Sequence, residues 1–243
     1  MRKILIVSLF LCSTMVFAKV SNVNYKATFG IFGTVGTLKN KVIQTKTTYQ
    51  IETTVKLAGI AKSLLGGQTE HYVSRGHMKN GLMISDSYVM TTTKKKTKKV
   101  KEYRIDHTHK SVTKRYRKWV KGKLITDTKK TLKFYAKNDL LTLYFNMDKA
   151  ITQKGKIYYF KAVGLEKQKG LVKITVPSDA KSANYKKDLG ATANWYAKAL
   201  IVQKNFNKNK GNILLSVDKD GFIKKAVIKD IMMYGDAKLI RVK

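Results

Sequence analysis

The chain has 243 residues, and its 50 Lys and Arg residues against 15 Asp and Glu residues give a formal net charge of +35 at pH 7. A single cysteine, Cys12, excludes a disulfide-stapled domain. With one proline, Pro177, and no Ser/Gly-rich linker, the length favours one large β domain over two small ones.

The amino terminus has the pattern of a cleavable secretory signal peptide, residues 1–18. Residues 1–3 are positively charged at two positions, residues 4–17 are mostly apolar, and a small-residue pattern ends at Ala18. The apolar stretch is shorter than the roughly 20 residues of a membrane-spanning helix, and no later segment is as apolar. We therefore expect a periplasmic protein whose mature chain, residues 19–243, is a single domain without a transmembrane anchor.

The charge of the mature chain predicts an acidic partner. Loss of residues 1–18 removes Cys12 and leaves a net charge of +33. Charge of this size attracts polyanions, with affinities that fall as salt rises. In an exported protein the expected partners are anionic envelope lipid, lipopolysaccharide or cell-wall polymer, with peripheral membrane contact, and not nucleic acid. The alternative is that the charges are simply solvated, and the oligomeric state stays open.

The basic residues are concentrated in residues 94–133, where 17 Lys and Arg residues face three acidic ones, a net charge of +14. Lysine binds phosphate as a point charge, so this segment is the expected anion-binding surface. The aromatic residues Tyr103, Tyr116 and Trp119 are interleaved with it, and we expect them to pack on the opposite strand face. The predicted ligand-binding residues are Lys94, Lys95, Lys96, Lys98, Lys99, Lys101, Arg104, Arg115, Arg117 and Lys118.

Most of the chain carries short runs of β-branched and aromatic residues between turn residues, which predicts antiparallel strands. Two short helices are also predicted, one over residues 57–65 and one that Asn138-Asp139 caps and that continues to Met147. The second is apolar almost all round, so we expect it to plug the sheet, and residues 178–190 are predicted as a polar loop. The predicted strands are 25–32, 35–44, 49–56, 71–75, 82–93, 98–105, 111–120, 124–134, 156–163, 170–176, 212–217, 222–229 and 231–242.

The predicted fold class is therefore mainly β, an antiparallel open β-barrel or spiral β-roll with two short helices. Such folds often hold a lipid or pigment in an apolar interior. A core filled completely by side chains is an equal alternative at this point.

Two histidines deserve a test as metal ligands. His107 and His109 flank Thr108 and would share a face of an extended strand. No cysteine or carboxylate cluster lies near them in the sequence, and zinc sites need three or four ligands. We therefore expect no metal site and no cofactor, with His71 and His77 as separate residues at strand edges.

The chain offers no recognisable catalytic pattern. It has no Gly-x-Ser-x-Gly elbow, no cysteine after residue 18, and no glycine-rich phosphate-binding loop. Its carboxylates are few and scattered, so no acid and base pair can be nominated. No catalytic residue is predicted, and an enzyme stays open as an alternative.

Several local patterns together resemble a bacterial family of exported proteins, domain-of-unknown-function family 3108. The family's Asp-Leu-Ser-x-x-Tyr helix is similar to residues 139–144, although Thr142 replaces the serine, and Ile105 stands where the family has an aromatic residue. The resemblance implies a periplasmic spiral β-roll related to putative glycolipid-binding proteins, and it implies no activity. The other patterns are the strand pair at 25–36, Leu57-Ala58-Gly59 before Gly76-x-x-x-x-Gly81, Tyr103-Arg104-Ile105-Asp106, and the strand-turn-strand after Asn212.

The sequence thus predicts an exported, non-catalytic protein that binds an anionic or amphipathic envelope component, such as a lipid or glycolipid. Acyl chains would enter the apolar interior and the basic residues of 94–133 would meet the headgroups. The alternative is a structural or interaction protein of the envelope that docks on acidic polymer or on a partner protein.

Overall fold

The computed structural model describes residues 18–64, 67–201, 211–229 and 236–242. The predicted signal peptide lies outside this part of the chain except for Ala18, so export stays a prediction. None of the described helices is long and apolar enough to cross a membrane.

The described residues form fifteen strands and three α-helices. The first half of the chain contains β1 (Lys19–Phe29), β2 (Thr34–Gln44), β3 (Thr48–Leu57), α1 (Gly59–Leu64), β4 (Thr69–Lys79), β5 (Leu82–Lys94), β6 (Thr97–Asp106), β7 (Ser111–Val120) and β8 (Lys123–Thr131). The second half contains β9 (Asn138–Asp139), α2 (Leu140–Ala150), β10 (Ile157–Val163), β11 (Leu171–Thr175), α3 (Ala183–Leu189), β12 (Trp195–Ile201), β13 (Gly211–Val217), β14 (Ile223–Ile228) and β15 (Ala237–Val242).

All fifteen strands belong to one sheet that does not close. Its order is β8-β7-β6-β5-β4-β3-β2-β1-β15-β14-β13-β12-β11-β10-β9, so the last strand pairs with the first. Every pairing is antiparallel except that of β9 with β10. The prediction of a mainly β, antiparallel open roll is confirmed.

The sheet wraps around α2, as the sequence predicts. Asp139 caps this helix, because its carboxylate accepts hydrogen bonds from the backbone amides of Leu141 and Thr142. Further along the helix, Tyr144 meets Tyr25 of β1, and Asp148 accepts a hydrogen bond of 2.8 Å from the indole of Trp195 in β12. Strands far apart in the sheet therefore pack against one helix, and we call the sheet face toward α2 the inner face.

The edge of the sheet at β9 and β10 folds over the inner face of β5 to β7. The turn between β10 and β11 carries Glu166, whose carboxylate accepts hydrogen bonds from Lys114 of β7, at 2.7 Å, and from Tyr103 of β6. Just before β9, the carbonyl of Lys137 accepts a hydrogen bond of 3.0 Å from the amide of Ser85 in β5. These contacts fasten this edge of the sheet onto its inner face, and we call them the latch.

The structure differs from the sequence prediction in two places, one a wrong prediction and one an omission. Residues 178–190 are not simply a loop, because α3 lies within them and raises the number of described helices to three. Strand β12 was not predicted at all, although it pairs along its whole length with β13. The predicted strand at 231–242 is confirmed over Ala237–Val242, and residues 230–235 lie outside the described part.

Candidate functional site

An apolar pocket of about 450 Å³ lies between α2 and the inner face of the sheet. Leu140, Leu143, Tyr144 and Met147 of α2 line one side, and Lys238 is the one charged residue in the lining. The volume is within the range of small-molecule sites in proteins. The sheet contributes Ala27, Leu38, Val172, Ile174, Ala199, Ile213, Leu215, Ile223, Ala226, Ile228, Ala237 and Leu239.

The tyrosine hydroxyls at this pocket are already paired. The hydroxyl of Tyr25 donates a hydrogen bond of 2.9 Å to the carbonyl of Ile223, which leaves the hydroxyl of Tyr144 to donate to Tyr25. Burial raises the pKa of Tyr144 to about 12, so both hydroxyls stay neutral at physiological pH. Apart from Lys238, the described lining presents hydrocarbon surface to a ligand, which suits an acyl chain.

The ten predicted ligand-binding residues occupy three settings in β5 to β7. Lys94, Lys95 and Lys96 lie at the tip of the β5–β6 hairpin. Tyr103 is buried on the inner face, and successive residues of a strand point to opposite faces. This alternation assigns each of the remaining seven residues to one face of the sheet. Lys99, Lys101 and Lys118 share the inner-face side, whereas Lys98, Arg104, Arg115 and Arg117 are on the outer face.

The hairpin tips form a basic surface pocket of about 560 Å³, which we call the tip pocket. The amide of Lys121 in the β7–β8 turn donates a hydrogen bond of 2.8 Å to the carbonyl of Lys96, which holds the two tips together. Among the described residues, none of the four lysines in the lining forms an ion pair, so their charge is available to a ligand. The tip pocket is lined by Thr93, Lys95, Lys96, Thr97, Lys98, Trp119, Lys121 and Gly122.

Trp119 forms the apolar floor of this basic region. The ammonium of Lys98 lies 5.7 Å and the guanidinium of Arg117 lies 5.5 Å from the centre of its ring. Cation–π attraction favours this placement of both cations beside the indole. The prediction that the aromatic residues pack away from the basic face is therefore wrong for Trp119, whereas Tyr103 is buried as expected.

The arginines of the outer face have carboxylate partners within the sheet. Arg104 and Arg117 pair with Glu102 at 3.0 and 3.1 Å, and Arg115 forms a two-pronged contact with Asp127. Hydrogen bonds from Arg115 lower the pKa of Asp127. Because these guanidinium groups already have carboxylate partners, they are weaker anion ligands than the lysines of the tip pocket.

One of the inner-face lysines, Lys101, lies near the latch. Burial, followed by the charge of Lys114, lowers the pKa of Lys101. Burial alone would raise the pKa of Glu166, but hydrogen bonds from Lys114 and Tyr103 outweigh it, so this pKa is lowered. Lys114 thus acts in the latch, where its ammonium is held by Glu166 and lies 5.6 Å from the ring of Tyr103.

The two pockets are separate. None of the ten predicted residues lines the apolar pocket, which is built from α2 and from strands β1, β2 and β11 to β15. No residue of the apolar lining was predicted from the sequence as a site residue. Aliphatic residues in a strand form the same sequence pattern whether they fill a core or line a pocket. It also left Lys121 and Trp119 out of the basic site.

The histidines are not arranged as the sequence suggested. His109 turns to Asp106, 2.7 Å from its Nδ1 atom, whereas His107 approaches His77 and Asp86. Among the described residues, His71 pairs with neither His107 nor His109.

No protein-family model matches the chain, and no curated protein matches it either. Among solved structures, the chain is similar to a crystal structure of a beta-barrel-like protein of domain of unknown function DUF1849 from Brucella abortus. The two chains are 10% identical, with a TM-score of 0.46, and the alignment covers 94% of this chain and 96% of that one. The chain is a β-rich protein with a distant likeness to a domain of unknown function, and the resemblance to family 3108 stays a prediction.

Proposed function

We propose that this chain is an exported, non-catalytic envelope protein that binds an anionic lipid, with an acyl chain in the apolar pocket. The observation that carries the proposal is the lining of that pocket, which is aliphatic and aromatic except for Lys238 and whose tyrosine hydroxyls are already paired. Burial of hydrocarbon is worth about 25 cal/mol per Å², so such a surface selects apolar chains.

The tip pocket has a second role in this proposal, namely contact with the anionic headgroups at a membrane surface. Its lysines are free of ion pairs in the described residues, and each lysine near an anionic surface contributes about 1 kcal/mol. Membership of domain-of-unknown-function family 3108 and a periplasmic location belong to the same proposal. The resemblance to putative glycolipid-binding proteins and the pattern of residues 1–18 support them.

The proposal is tested by the binding of a fluorescent fatty acid, cis-parinaric acid, to the purified mature chain. Ala226→Phe would place an aromatic ring in the pocket, whereas Leu215→Ala would enlarge it, and both residues line the same space. Each change costs about 1–4 kcal/mol of stability, so the two variants are matched as core substitutions. We expect Ala226→Phe to weaken binding by about tenfold or more and Leu215→Ala to retain it.

Thermal unfolding of both variants shows whether each still folds. Two folded variants that bind the probe equally would show that the fatty acid does not enter this pocket, and the proposal would then fail.

A second candidate, the docking of the protein on acidic cell-wall polymer, is favoured by the separation of the two pockets. Because no residue of the tip pocket lines the apolar pocket, the lysines can bind a polyanion without any acyl chain. Sedimentation with isolated cell wall, compared with sedimentation on anionic vesicles at several salt concentrations, distinguishes the two. Binding to cell wall alone would favour this candidate.

A further inference from the structure

Three side chains from three separate elements meet at the protein surface. His77 comes from β4, Asp86 from β5, and His107 from the turn after β6. The Oδ1 atom of Asp86 lies 2.9 Å from Nδ1 of His77 and 3.1 Å from Nε2 of His107. The three ligand atoms lie within 4.8 Å of one another, and we call these residues the His–Asp cluster.

A β-bulge places Asp86 in this cluster. Arg75 pairs with Ser87 and the next residue, Gly76, pairs with Ser85, so Asp86 is the extra residue on β5. Bulges re-aim a side chain and recur beside functional sites. The bulge also reverses the alternation of β5, because the buried residues are Met83 and Ser85 before it but Tyr88 after it.

Only glycine fits opposite the bulge. A Cβ atom on Gly76 would lie 1.9 Å from the carbonyl oxygen of Ile84, well inside van der Waals contact. The irregularity is therefore built into the sequence at two positions, the glycine on β4 and the extra residue on β5. The extra residue, Asp86, belongs to the His–Asp cluster, and Gly76 directly precedes another of its members, His77.

His107 is held in place by contacts other than those within the cluster. Its Nδ1 atom lies 2.8 Å from the hydroxyl of Tyr135, and its Nε2 atom lies 3.0 Å from the carbonyl of Ser85. The ring stands edge-on to both His77 and Tyr135, at interplanar angles of 87° and 81°. Because a carbonyl only accepts, Nε2–H donates to Ser85, and Nδ1 accepts from Tyr135.

A metal ion would reverse this tautomer. With the lone pair of Nε2 on the metal, Nδ1 carries the proton and donates it to the oxygen of Tyr135. A hydrogen bond from the second ring nitrogen is the usual support of a metal-bound histidine, and Tyr135 is positioned to accept it.

We propose that the His–Asp cluster is a binding site for a divalent transition metal, with zinc as the best-suited ion. The ligands are Nδ1 of His77, the carboxylate of Asp86 and Nε2 of His107. In a tetrahedral site, four ligand atoms about 2.0–2.2 Å from zinc lie roughly 3.3 Å from one another. The distances from the carboxylate of Asp86 to Nδ1 of His77 and to Nε2 of His107 are close to this value. Two imidazoles and one carboxylate suit zinc and its neighbours, whereas magnesium and calcium prefer oxygen alone.

The cluster leaves room for water in the remaining coordination positions. The side chains of His77, Asp86 and His107 are 41%, 48% and 27% exposed, so the ion would lie at the surface with solvent access. His109 provides an internal control, because it also contacts a carboxylate, that of Asp106, but has no second histidine beside it.

The test is zinc binding by the untagged full mature chain, freed of metal with a chelator and then titrated against a chromophoric zinc indicator. We expect one zinc ion per chain. His77→Ala, Asp86→Asn and His107→Ala should each weaken binding by more than about tenfold, because each removes one of three protein ligands. Tyr135→Phe should weaken it by about tenfold through the loss of positioning, and His109→Ala should leave it unchanged.

Cobalt substitution gives a second readout, since a visible absorption spectrum that disappears in His77→Ala reports coordination by that residue. Circular dichroism with the chelator present shows that each variant folds. No zinc binding by the wild-type chain would overturn the proposal. Equal affinity of His77→Ala and the wild type, or a loss in His109→Ala as large as that in His107→Ala, would also overturn it.

Discussion

The hydroxyl of Ser85 donates a hydrogen bond of 2.6 Å to the buried carboxylate of Asp139, the residue that caps α2. The hydroxyl of Ser74 donates to the same oxygen, so this carboxylate accepts four hydrogen bonds in all. The residue after Ser85 is Asp86, which supplies the carboxylate of the His–Asp cluster. One short stretch of β5 therefore anchors the plug helix in the interior and supplies a ligand of the proposed metal site at the surface.

The first prediction concerns the anchor of α2. Asp139→Ala removes a helix cap and leaves buried donors unpaired, so it should lower the free energy of unfolding by roughly 3–5 kcal/mol. Asp139→Asn keeps an oxygen for the amides of Leu141 and Thr142 and can donate to the two serines, so its cost should be less than half. Urea denaturation at pH 7 measures both. Equal losses in the two variants would contradict the assigned hydrogen bonds.

The pH dependence of these variants has a definite sign. Burial raises the pKa of Asp139, so the folded chain binds this proton more tightly than the unfolded chain does. The wild type should therefore lose stability relative to Asp139→Asn as the pH rises from about 4 through the folded pKa. Denaturation across this pH range checks the trend. An increase in the stability of the wild type relative to Asp139→Asn as the pH rises would contradict this trend.

The second prediction concerns the latch between the sheet edge and β7. Glu166→Gln should lower the free energy of unfolding by roughly 1–3 kcal/mol, because the nearly buried ammonium of Lys114 loses its partner. The matched control is Asp179→Asn, which breaks the exposed pair with Lys154 and should cost less than about 0.5 kcal/mol. Equal effects of the two changes would show that the latch carries no special stability.

The latch should weaken in acid. The pKa of Glu166 is lowered in the folded state, so its contribution is complete above the unfolded value near 4.3 and is lost as the pH falls through the folded value. The gap in stability between the wild type and Glu166→Gln should therefore close as the pH falls below about 4. A gap that widens in acid would contradict this assignment.

The third prediction concerns the bulge. Gly76→Ala should destabilise the chain by about 3 kcal/mol, since the added methyl group forces β4 away from the carbonyl of Ile84. The measurement is urea denaturation, with Ser87→Ala as a nearby control in the same pair of strands. A Gly76→Ala variant as stable as the wild type would show that the bulge relaxes freely.

The fourth prediction concerns the tip pocket. Replacement of Lys95, Lys96 and Lys98 by glutamine should weaken binding to phosphatidylglycerol vesicles by about 10²-fold at low salt. The matched control removes the same charge from Lys26, Lys39 and Lys41, which are exposed on β1 and β2, and should weaken binding by only a few-fold. Cosedimentation measures both. Equal losses would show that total charge, and not the tip pocket, drives binding.

The sequence predicted most strands of this fold because their residues alternate between a buried and an exposed face. In β6, for example, Tyr103 and Ile105 are buried and Arg104 and Asp106 are exposed. Strand β12 has no such alternation, since Trp195, Tyr196 and Ala197 are all buried. Its inner face packs in the core around α2, and its outer face is covered by α3, so the pattern that identifies a strand is absent.

The candidate sites were less accessible to sequence reasoning because they depend on contacts between distant residues. The basic segment could be recognised in the sequence as a run of lysines. The sequence did not show which of its cations have carboxylate partners. The His–Asp cluster depends on the bulge between Gly76 and Asp86, which shifts one strand by a single residue. The apolar pocket depends on how closely α2 approaches the sheet, which the helix sequence alone does not determine.

The central claim is that the apolar pocket holds an acyl chain. The most direct measurement is mass spectrometry of lipids extracted from the protein after its purification, without detergent, from cells that produce it. We predict about one acyl-bearing anionic lipid per chain in the wild type and a loss of that lipid in Ala226→Phe, which fills the pocket. A wild-type protein that is free of lipid, or a folded Ala226→Phe variant that carries as much lipid, would contradict the account.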